Sequence, residues 1–243
     1  MSHDDSNEWF HTTQWSIVLS ARDGQDSKAE AALANLCQNY WRPLYTFLRR
    51  TGNSQHDAQD LTQSFFATLI DKDYLKSVDQ EKGRFRSFLL VAIKHFVANQ
   101  RAHDKALKRG GDHQRLPLDY ADAERFLAST PTSKQSPDHE FEYNWAITVL
   151  DQALESVRDE FVATDKLQDF EHLKPFLTPS DQLPTFNQLA EVLGLGESGA
   201  RSAVHRLRRR YRRTLREHVA QTVGREEDID DELQQLMKIL SAR

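Results

Sequence analysis

Apolar residues recur at spacings of three and four along most of the 243-residue chain, and this spacing places them on one face of an α-helix. In segment 27–50, for example, the residues Leu33, Leu36, Tyr40, Leu44 and Phe47 share such a face. The chain has only 9 glycines and 7 prolines, fewer than a turn-rich all-β fold or a glycine-loop nucleotide fold normally needs. The spacing therefore predicts an all-α protein.

The same spacing predicts the position of each helix. Helices are expected over 15–22, over 27–50 with a kink at Pro43, from Ser54 onward, over 84–109, from Ser136 onward, over 169–177, over 185–193 and over 198–219. Segment 112–136 mixes Asp, Ser, Thr and Pro with few apolar residues and is interpreted as a flexible linker with a transient turn at 120–127. We therefore expect two small helical domains, 1–111 and 137–223, followed by an acidic C-terminal helix over 224–243.

The composition narrows the class of protein. The one cysteine, Cys37, excludes an internal disulfide framework and a zinc site with several cysteines. The chain has no stretch of about 18 uncharged apolar residues, and its N-terminus is acidic. We expect a cytoplasmic protein with no membrane segment, no metal and no cofactor.

The net charge of −5 conceals two basic segments. Residues 82–115 carry 9 basic and 2 acidic side chains, and residues 199–216 carry 8 arginines and no acid. Two basic segments in an acidic chain are typical of a protein that holds a polyanion at two places. The alternative is that each is a solvated helix face.

The second basic segment lies in a predicted helix-turn-helix. Thr185 and Gln188 can form a capping box, and Gly194 and Gly196 can make a tight turn before the second helix. The second helix would direct its first polar residues to base edges in the major groove and its later arginines to phosphates. The expected contacts are Arg201, Ser202, His205, Arg206, Arg208, Arg209 and Arg213. The alternative is a helical hairpin whose arginine face only confers solubility.

The first basic segment has its own pattern. Lys94, Arg101, Lys105 and Lys108 share one helix face, with aromatic residues nearby. Cations beside aromatic rings suit single-stranded nucleic acid, although the aromatic residues themselves are better explained as core.

Three segments in this order resemble the extracytoplasmic-function (ECF) group of bacterial RNA polymerase sigma factors. They are DAQDLTQSFFATLI, EKGRFRSFLLVAIKHFVANQRA and FNQLAEVLGLGESGARSAVHRLRRRYRRTLRE, and the resemblance covers about residues 15–222. It implies two helical domains without catalysis of their own. The first domain would bind the polymerase clamp and melt the minus-ten promoter element, and the second would read the minus-thirty-five element and contact the polymerase flap.

The resemblance also implies site residues. The clamp-binding motif falls on Asp57, Asp60, Leu61 and Gln63. The base-capturing loop falls on 79–84 and the minus-ten helix on 94–108, which together with the basic segment implicates Lys82, Arg84, Arg86, Lys94, His95, Asn99, Arg101, Lys105 and Lys108. Read without the resemblance, Asp57 and Asp60 could serve in capping and solvation, or as half of a metal site for which no third ligand is evident.

The expected partners are therefore core RNA polymerase and promoter DNA, and an anti-sigma factor stays an open partner. The alternative is a stand-alone helix-turn-helix regulator, which would give no reason for a polar face at Asp57, Asp60 and Gln63. A DNA-processing enzyme would need converging carboxylates or a positioned nucleophile. Tyr211 lies on the apolar stripe and Ser202 has no evident base, so this class is disfavoured.

The acidic tail is predicted to form an amphipathic helix, because Ile229, Leu233, Leu236 and Leu240 are spaced by four, three and four. We expect it to pack on the second domain. A sharper hypothesis is that its acids compete with DNA for the arginine helix.

Overall fold

Helices make up the regular structure of the chain. The computed structural model describes residues 15, 27–70, 84–104, 118–129, 136–178, 180 and 182–242. Its α-helices are α1 (Ser27–Arg50), α2 (Gln55–Ile70), α3 (Phe85–Asp104), α4 (Tyr120–Ser129), α5 (Pro137–Ala163), α6 (Leu167–Leu173), α7 (Phe186–Leu193), α8 (Glu197–Ala220) and α9 (Ile229–Ser241), with 3-10 helices at Lys174–Leu177 and Glu226–Asp228. These ranges contain no β-strand, only an isolated antiparallel bridge between Arg84 and Val223. The all-α prediction is confirmed.

The chain divides into two compact units, and both divisions fall inside helices. The first unit comprises Met1–Thr148 together with Val219–Arg243, and the second comprises Val149–His218. The divisions therefore lie in α5 and near the end of α8, whereas the sequence suggested a division in the linker 112–136. The C-terminal tail belongs to the first unit, so the expectation that it packs on the second domain is wrong.

Aromatic side chains fill the core of the first unit. The ring of Phe85 lies 4.9 Å from that of Trp15 and 4.9 Å from that of Tyr40. Trp145 donates a hydrogen bond from Nε1 to the Tyr40 hydroxyl at 2.8 Å, which satisfies a polar atom that burial would otherwise penalise. This bond joins α5 to α1. The apolar stripe predicted for α1 is buried as expected, at Leu33, Leu36, Tyr40, Leu44 and Phe47. On α3, Phe85, Phe88, Ala92 and Phe96 are buried as well.

Helix α4 occupies part of the predicted linker and packs on α1. The Tyr120 ring lies 5.0 Å from that of Tyr45, and Glu124 accepts a hydrogen bond from Arg49 at 2.7 Å. Arg49 in turn lowers the pKa of the Glu124 carboxyl through this hydrogen bond. Residues 120–129 are thus a docked helix, because their aromatic and acidic side chains find partners on α1 that local composition does not reveal.

The second unit is built from the latter part of α5 with α6, α7 and α8. Its core consists of Val157, Phe170, Leu173, Phe176, Leu189, Ala190, Ala200, Ala203, Val204 and Leu207. The apolar stripe of α8, which includes Tyr211, is buried at Ala200, Val204 and Leu207 and half-buried at Tyr211. Burying this face leaves the opposite, arginine-rich face of α8 as the surface of the unit.

Some predicted elements lie outside the described residues. Of the helix expected over 15–22 only Trp15 is described, and it is buried. The loop 79–83 and residues 105–117 also lie outside. Lys82, Lys105 and Lys108 therefore have no structural description, and the same holds for the side chain of Arg101.

Candidate nucleic-acid interface

Helices α7 and α8 are joined by a turn that local interactions set. The capping box predicted at the start of α7 is present, since Thr185 Oγ1 accepts a hydrogen bond from Gln188 N at 3.3 Å and Gln188 Oε1 accepts one from Thr185 N at 2.8 Å. Gly194 ends α7 with φ 64°, a left-handed conformation that glycine adopts without steric cost.

The start of α8 approaches this turn closely. A Cβ atom at Gly199 would lie 3.2 Å from Cβ of Leu195, so a larger residue there would press on the turn. Glycine lowers intrinsic helix propensity by about 1 kcal/mol relative to alanine. The close contact accounts for a residue that propensity alone disfavours in the first turn of a helix.

All seven predicted DNA contacts on α8 are exposed, among them Ser202, His205, Arg206 and Arg209. Arg206 and Arg209 form no ion pair within the described part of the chain, whereas Arg201, Arg210 and Arg213 do. A cation without a carboxylate partner gains most from a phosphate or a guanine edge, because no internal pair has to be broken first.

The other predicted contacts on α8 have internal partners. Arg201 pairs with Glu197 at 2.6 Å and lies over the Phe186 ring at 4.2 Å. These contacts fix the direction of its side chain along the first turn of α8.

Two arginines further along α8 are held in similar ways. Arg208 donates from Nε and Nη2 to the carbonyl oxygen of Phe176 at 3.0 and 2.8 Å. Arg213 lies 3.5 Å from Glu217 and 3.9 Å from Glu160. These side chains are held in place. Arg209 lies between them in sequence, and Arg206 lies between Arg201 and Arg208.

A cleft of about 1010 Å³ lies beside this face, within the second unit. Four arginines of α8 contribute to its lining together with apolar groups of α5 and the turn, among them Arg206, Arg209, Arg210, Arg213, Phe161 and Leu195. Glu160 and Asp169 also line the cleft, and Glu160 pairs with Arg210 at 3.1 Å. Arg206 and Arg209 are therefore the lining arginines that remain for an acidic partner.

The first basic segment has a different environment. Lys94, His95 and Asn99 are exposed on α3, as predicted. Lys94 forms an ion pair with Asp138 in the first turn of α5 at 2.5 Å. The exposed face of α3 is therefore partly neutralised within the chain.

Arg86 is not available to a nucleic acid, which corrects the prediction made for it. Its side chain is only 6% exposed and pairs with Glu232 and Glu142, each at 2.6 Å. The guanidinium also lies 4.8 Å from the ring centroid of Trp145. Burial alone would lower the pKa of Arg86, but the two carboxylates raise it. The residue is a buried cation of the first unit.

Arg84 shares the same carboxylate. Its Nε lies 3.2 Å from Glu232 Oε2, and its side chain remains 29% exposed. A partly exposed guanidinium can still meet a DNA strand, but only with the donors that Glu232 leaves open.

The predicted polymerase-binding residues lie on α2. Asp57 and Asp60 are exposed and Leu61 and Gln63 are half-buried. Ser54 caps the helix by accepting a hydrogen bond from Asp57 N at 3.1 Å, and Asp60 lies 3.2 Å from Nδ1 of His56. The two aspartates thus present carboxylates one turn apart at the N-terminal end of α2.

Sequence reasoning missed the residues that surround this face and the Arg86 site. Tyr120 of α4 adjoins the α2 face: burial raises its pKa, a hydrogen bond from Gln63 lowers it, and nearby Asp60 raises it, to about 12 overall. Nothing in the sequence around Tyr120 indicates this position.

The burial of Glu232, by contrast, is indicated by its position in the sequence. The residue follows Ile229 by three residues and precedes Leu236 by four, so it lies on the apolar stripe of α9. Arg86 likewise lies on a stripe, with Leu89 and Ile93. A charged residue within an apolar stripe indicates a buried ion pair, although its partner 146 residues away cannot be read locally.

Two other kinds of site have no candidate residues in the described part of the chain. Among the described residues, no three His, Cys, Asp or Glu side chains converge in a way that could hold a metal ion. No helix in the same ranges combines the length and the apolar character that a membrane crossing requires.

A helical protein with an exposed arginine face beyond a tight turn, and a second cationic helix in another unit, has features typical of nucleic-acid binding. The family model "ECF sigma factor" matches residues 13–177, which is more than half of the chain. The chain belongs to the ECF sigma factor family.

A curated relative and the solved structures complete the comparison. The chain is similar to the ECF RNA polymerase sigma factor SigE of Mycolicibacterium smegmatis (strain ATCC 700084 / mc(2)155), with 27% identity over 199 residues that cover 81% of this chain and 66% of that protein. The matched region thus spans slightly less than two thirds of the relative's length. No solved structure matches the chain. The family match ends before α7 and α8, so the interface on α8 rests on its own geometry.

Proposed function

We propose that this chain is a non-catalytic initiation subunit that binds core RNA polymerase and directs it to specific promoters. The exposed face of α8 with Arg206 and Arg209 carries the proposal, because it offers unpaired cations on a helix that follows a tight turn. Family membership supports the polymerase part, since the matched segment includes α2 and α3. Promoter DNA and core polymerase are the proposed partners, and the cytoplasm is the proposed place of action.

The proposal divides promoter recognition between the two units. In the second unit, Arg201, Ser202, His205 and Arg206 read base edges of the minus-thirty-five element, and Arg209 neutralises a phosphate. Arg208 and Arg213 stand beside the groove with part of their donors already used. This division follows the chemistry of the two kinds of contact, since bidentate side chains specify bases and point charges position the protein.

In the first unit, the exposed residues of α3 track the minus-ten strand. Lys94, His95 and Asn99 are proposed contacts, together with Arg84 at the start of the helix. Lys82, Arg101, Lys105 and Lys108 are proposed to extend this surface. Arg86 has no part in it, because its guanidinium is buried.

Core polymerase is proposed to bind the α2 face through Asp57, Asp60, Leu61 and Gln63. The two exposed carboxylates would meet a basic surface on the clamp. The cleft beside α8, which four arginines and apolar groups help to line, is the proposed site for an acidic segment of the flap. An anti-sigma factor would compete for one of these two surfaces.

Reconstituted initiation tests the proposal. Core RNA polymerase is incubated with a pool of genomic fragments, with and without the chain, and the 5′ ends of the transcripts are mapped. The proposal predicts discrete start sites that appear only with the chain. Transcripts that are unchanged by the chain, while the chain binds fragments alone, would identify a stand-alone regulator.

A charge reversal on α2 separates polymerase binding from DNA binding. Asp60→Lys should abolish co-elution with core polymerase and all chain-dependent starts while the circular dichroism spectrum is unchanged. Glu171→Lys, which reverses an exposed acid on α6, is the matched control and should leave both intact. Co-elution of the Asp60→Lys variant at wild-type level would remove α2 from the proposed interface.

A further inference from the structure

We propose that the C-terminal segment Val219–Ala242 is a latch on the first unit, closed in the free chain and released when the chain engages a promoter. The proposal rests on the proposed function, because it needs both promoter elements to be bound at once. The latch consists of the last residues of α8, a short connection, the 3-10 helix and α9.

Backbone hydrogen bonds attach the first part of the latch. Phe85 N donates to the carbonyl oxygen of Thr222 at 3.0 Å, and Trp15 N donates to that of Gln221 at 3.2 Å. Arg84 and Val223 form the isolated antiparallel bridge. Thr222 and Val223 are thus paired with Phe85 and Arg84 at the start of α3, and Gln221 is paired with Trp15.

A buried ion-pair cluster attaches the second part. Glu232 is 1% exposed and accepts hydrogen bonds from Arg86 Nε at 2.6 Å and Arg86 Nη2 at 3.3 Å. The same carboxylate pairs with Arg84. A buried carboxylate is stable only while its partners remain in place, so the two arginines and Glu232 either stay together or separate as a unit.

Apolar burial completes the attachment. Val223, Ile229, Leu236 and Ile239 of the latch are buried, whereas Met237 on the opposite face of α9 is 59% exposed. Only the apolar face of α9 therefore packs on the first unit, and the opposite face of α9 does not contribute to its attachment.

The reach of the chain shows why the latch has to open. Arg206 and Val223 are separated by 17 residues, which span about 26 Å as a helix and at most about 60 Å if fully extended. Two promoter elements centred about 25 base pairs apart, as their names state, lie roughly 85 Å apart along B-DNA. With Val223 bonded beside Arg84, Arg84 cannot lie at one element while Arg206 lies at the other. This limit follows from bond lengths and holds for any arrangement of the two units.

Opening is then driven by the DNA. A ligand shifts a conformational equilibrium only through its different affinity for the two states. The promoter has such a difference, because only the open chain can contact both elements. Release of Glu232 also returns the donors of Arg84 to the strand that α3 tracks, whereas Arg86 keeps its ion pair with Glu142.

A distance measurement on the full chain tests the latch. Spin labels are placed on Val91→Cys of α3 and Met237→Cys of α9, which replace exposed residues of the first unit. The native Cys37 is buried, and burial raises the pKa of its thiol, so it does not compete for label. The distance is measured by electron–electron double resonance in the free chain, and then with core polymerase and a mapped promoter fragment.

In the promoter complex Val223 has to lie at least roughly 25 Å from Arg84, the difference between the two spans above. We expect α9 to move away with Val223 and the label distance to lengthen. Transcripts are assayed in the same samples. Normal transcripts with an unchanged distance would overturn the latch and leave the proposed function standing. Absence of chain-dependent transcripts from unlabelled wild-type chain would instead overturn the proposed function, and the latch with it.

A pair of full-chain variants gives a second test. Glu232→Gln weakens the latch, whereas Asp231→Asn removes an exposed acid from the same turn. Glu232→Gln should lower the concentration of chain that gives half-maximal initiation about threefold to tenfold, because a larger fraction is open, and Asp231→Asn should leave it unchanged. Equal effects of the two substitutions would overturn the latch, as would a folded Glu232→Gln variant without increased activity. Should Glu232→Gln fail to fold, the label distance alone decides.

Discussion

The two basic segments of the chain are alike in sequence and different in structure. On α3, Arg86 is buried with two carboxylates and a tryptophan ring, and Lys94 is paired with Asp138. On α8, Arg206 and Arg209 are exposed and form no ion pair within the described residues. A count of positive charges does not distinguish these cases, whereas the position of each charge relative to the apolar stripe of its helix does.

The difference implies that α3 and α8 use their arginines for different purposes, one for stability and one for ligand binding. An arginine within an apolar stripe stabilises its unit as long as its carboxylates are present, and its loss is felt in folding. An arginine opposite the stripe contributes little to folding and retains its donors for a ligand. Stability and DNA affinity should therefore respond to different arginines.

The largest expected effect is on the stability of the first unit. Arg86→Met removes a cation whose side chain is 6% exposed and leaves the buried Glu232 without its closer cationic partner, at 2.6 Å, and with the Arg84 pair at 3.2 Å. We expect a loss of about 3–5 kcal/mol in the free energy of unfolding, measured by urea denaturation. The matched substitution Arg209→Met should change this free energy by no more than about 0.5 kcal/mol. Equal stability of the two variants would abolish the distinction between the helices.

The next effect is on promoter affinity. Arg206→Ala should weaken binding of the polymerase complex to its promoter by about 1–3 kcal/mol and relax the sequence preference at the upstream element. Competition between fragments with altered upstream bases measures both. A uniform loss across all fragments would make Arg206 a phosphate contact, and no loss would exclude it from the interface.

A smaller effect distinguishes an arginine that contacts phosphate from one that reads a base on the same helix. Arg209→Ala should lower affinity equally for all upstream sequences and reduce the slope of log K against log salt concentration by about 0.9. The slope is obtained from filter binding or anisotropy at several salt concentrations. An unchanged slope together with a changed sequence preference would exchange the proposed roles of Arg206 and Arg209.

The smallest effect concerns pH. Burial lowers the pKa of His218, whose Nε2 shares a hydrogen bond with Ser156 Oγ at 2.9 Å. At His218 the unfolded chain therefore binds a proton more readily than the folded one. The contribution of His218 to the free energy of unfolding is complete above about pH 6.5 and is lost as the pH falls below that value.

Hydrogen exchange of the α8 amides measures this loss. Protection should decrease between about pH 7.5 and pH 5.5, and His218→Gln should make the decrease smaller. A decrease of the same size in the variant would assign the pH dependence to other groups.

Much of the fold could be predicted from the sequence, because short-range spacing determines helices. The bounds 27–50, the capping box at Thr185 and the buried stripes of α1, α3 and α8 were all accessible from local pattern. The docking of α4 and α9 was not, since it depends on partners such as Arg49 for Glu124 and Arg86 for Glu232 that lie far away in the chain.

The candidate site was predictable to a similar extent. The exposed residues of α8 follow from its amphipathic period, and Asp57 and Asp60 follow from a motif. Arg86 was assigned to DNA because its charge was counted without its position on the stripe. The packing of the C-terminal segment on the first unit depends on the ion pair between Arg86 and Glu232, which are 146 residues apart in the chain.

The most direct test of the account is an alignment of the start sites that the chain specifies on genomic fragments. If two units each read one element, the upstream sequences should share two conserved boxes with a nearly constant spacing, and Arg206→Ala should erase the upstream box alone. A single shared box, or loss of both boxes in this variant, would contradict recognition by two separate basic helices.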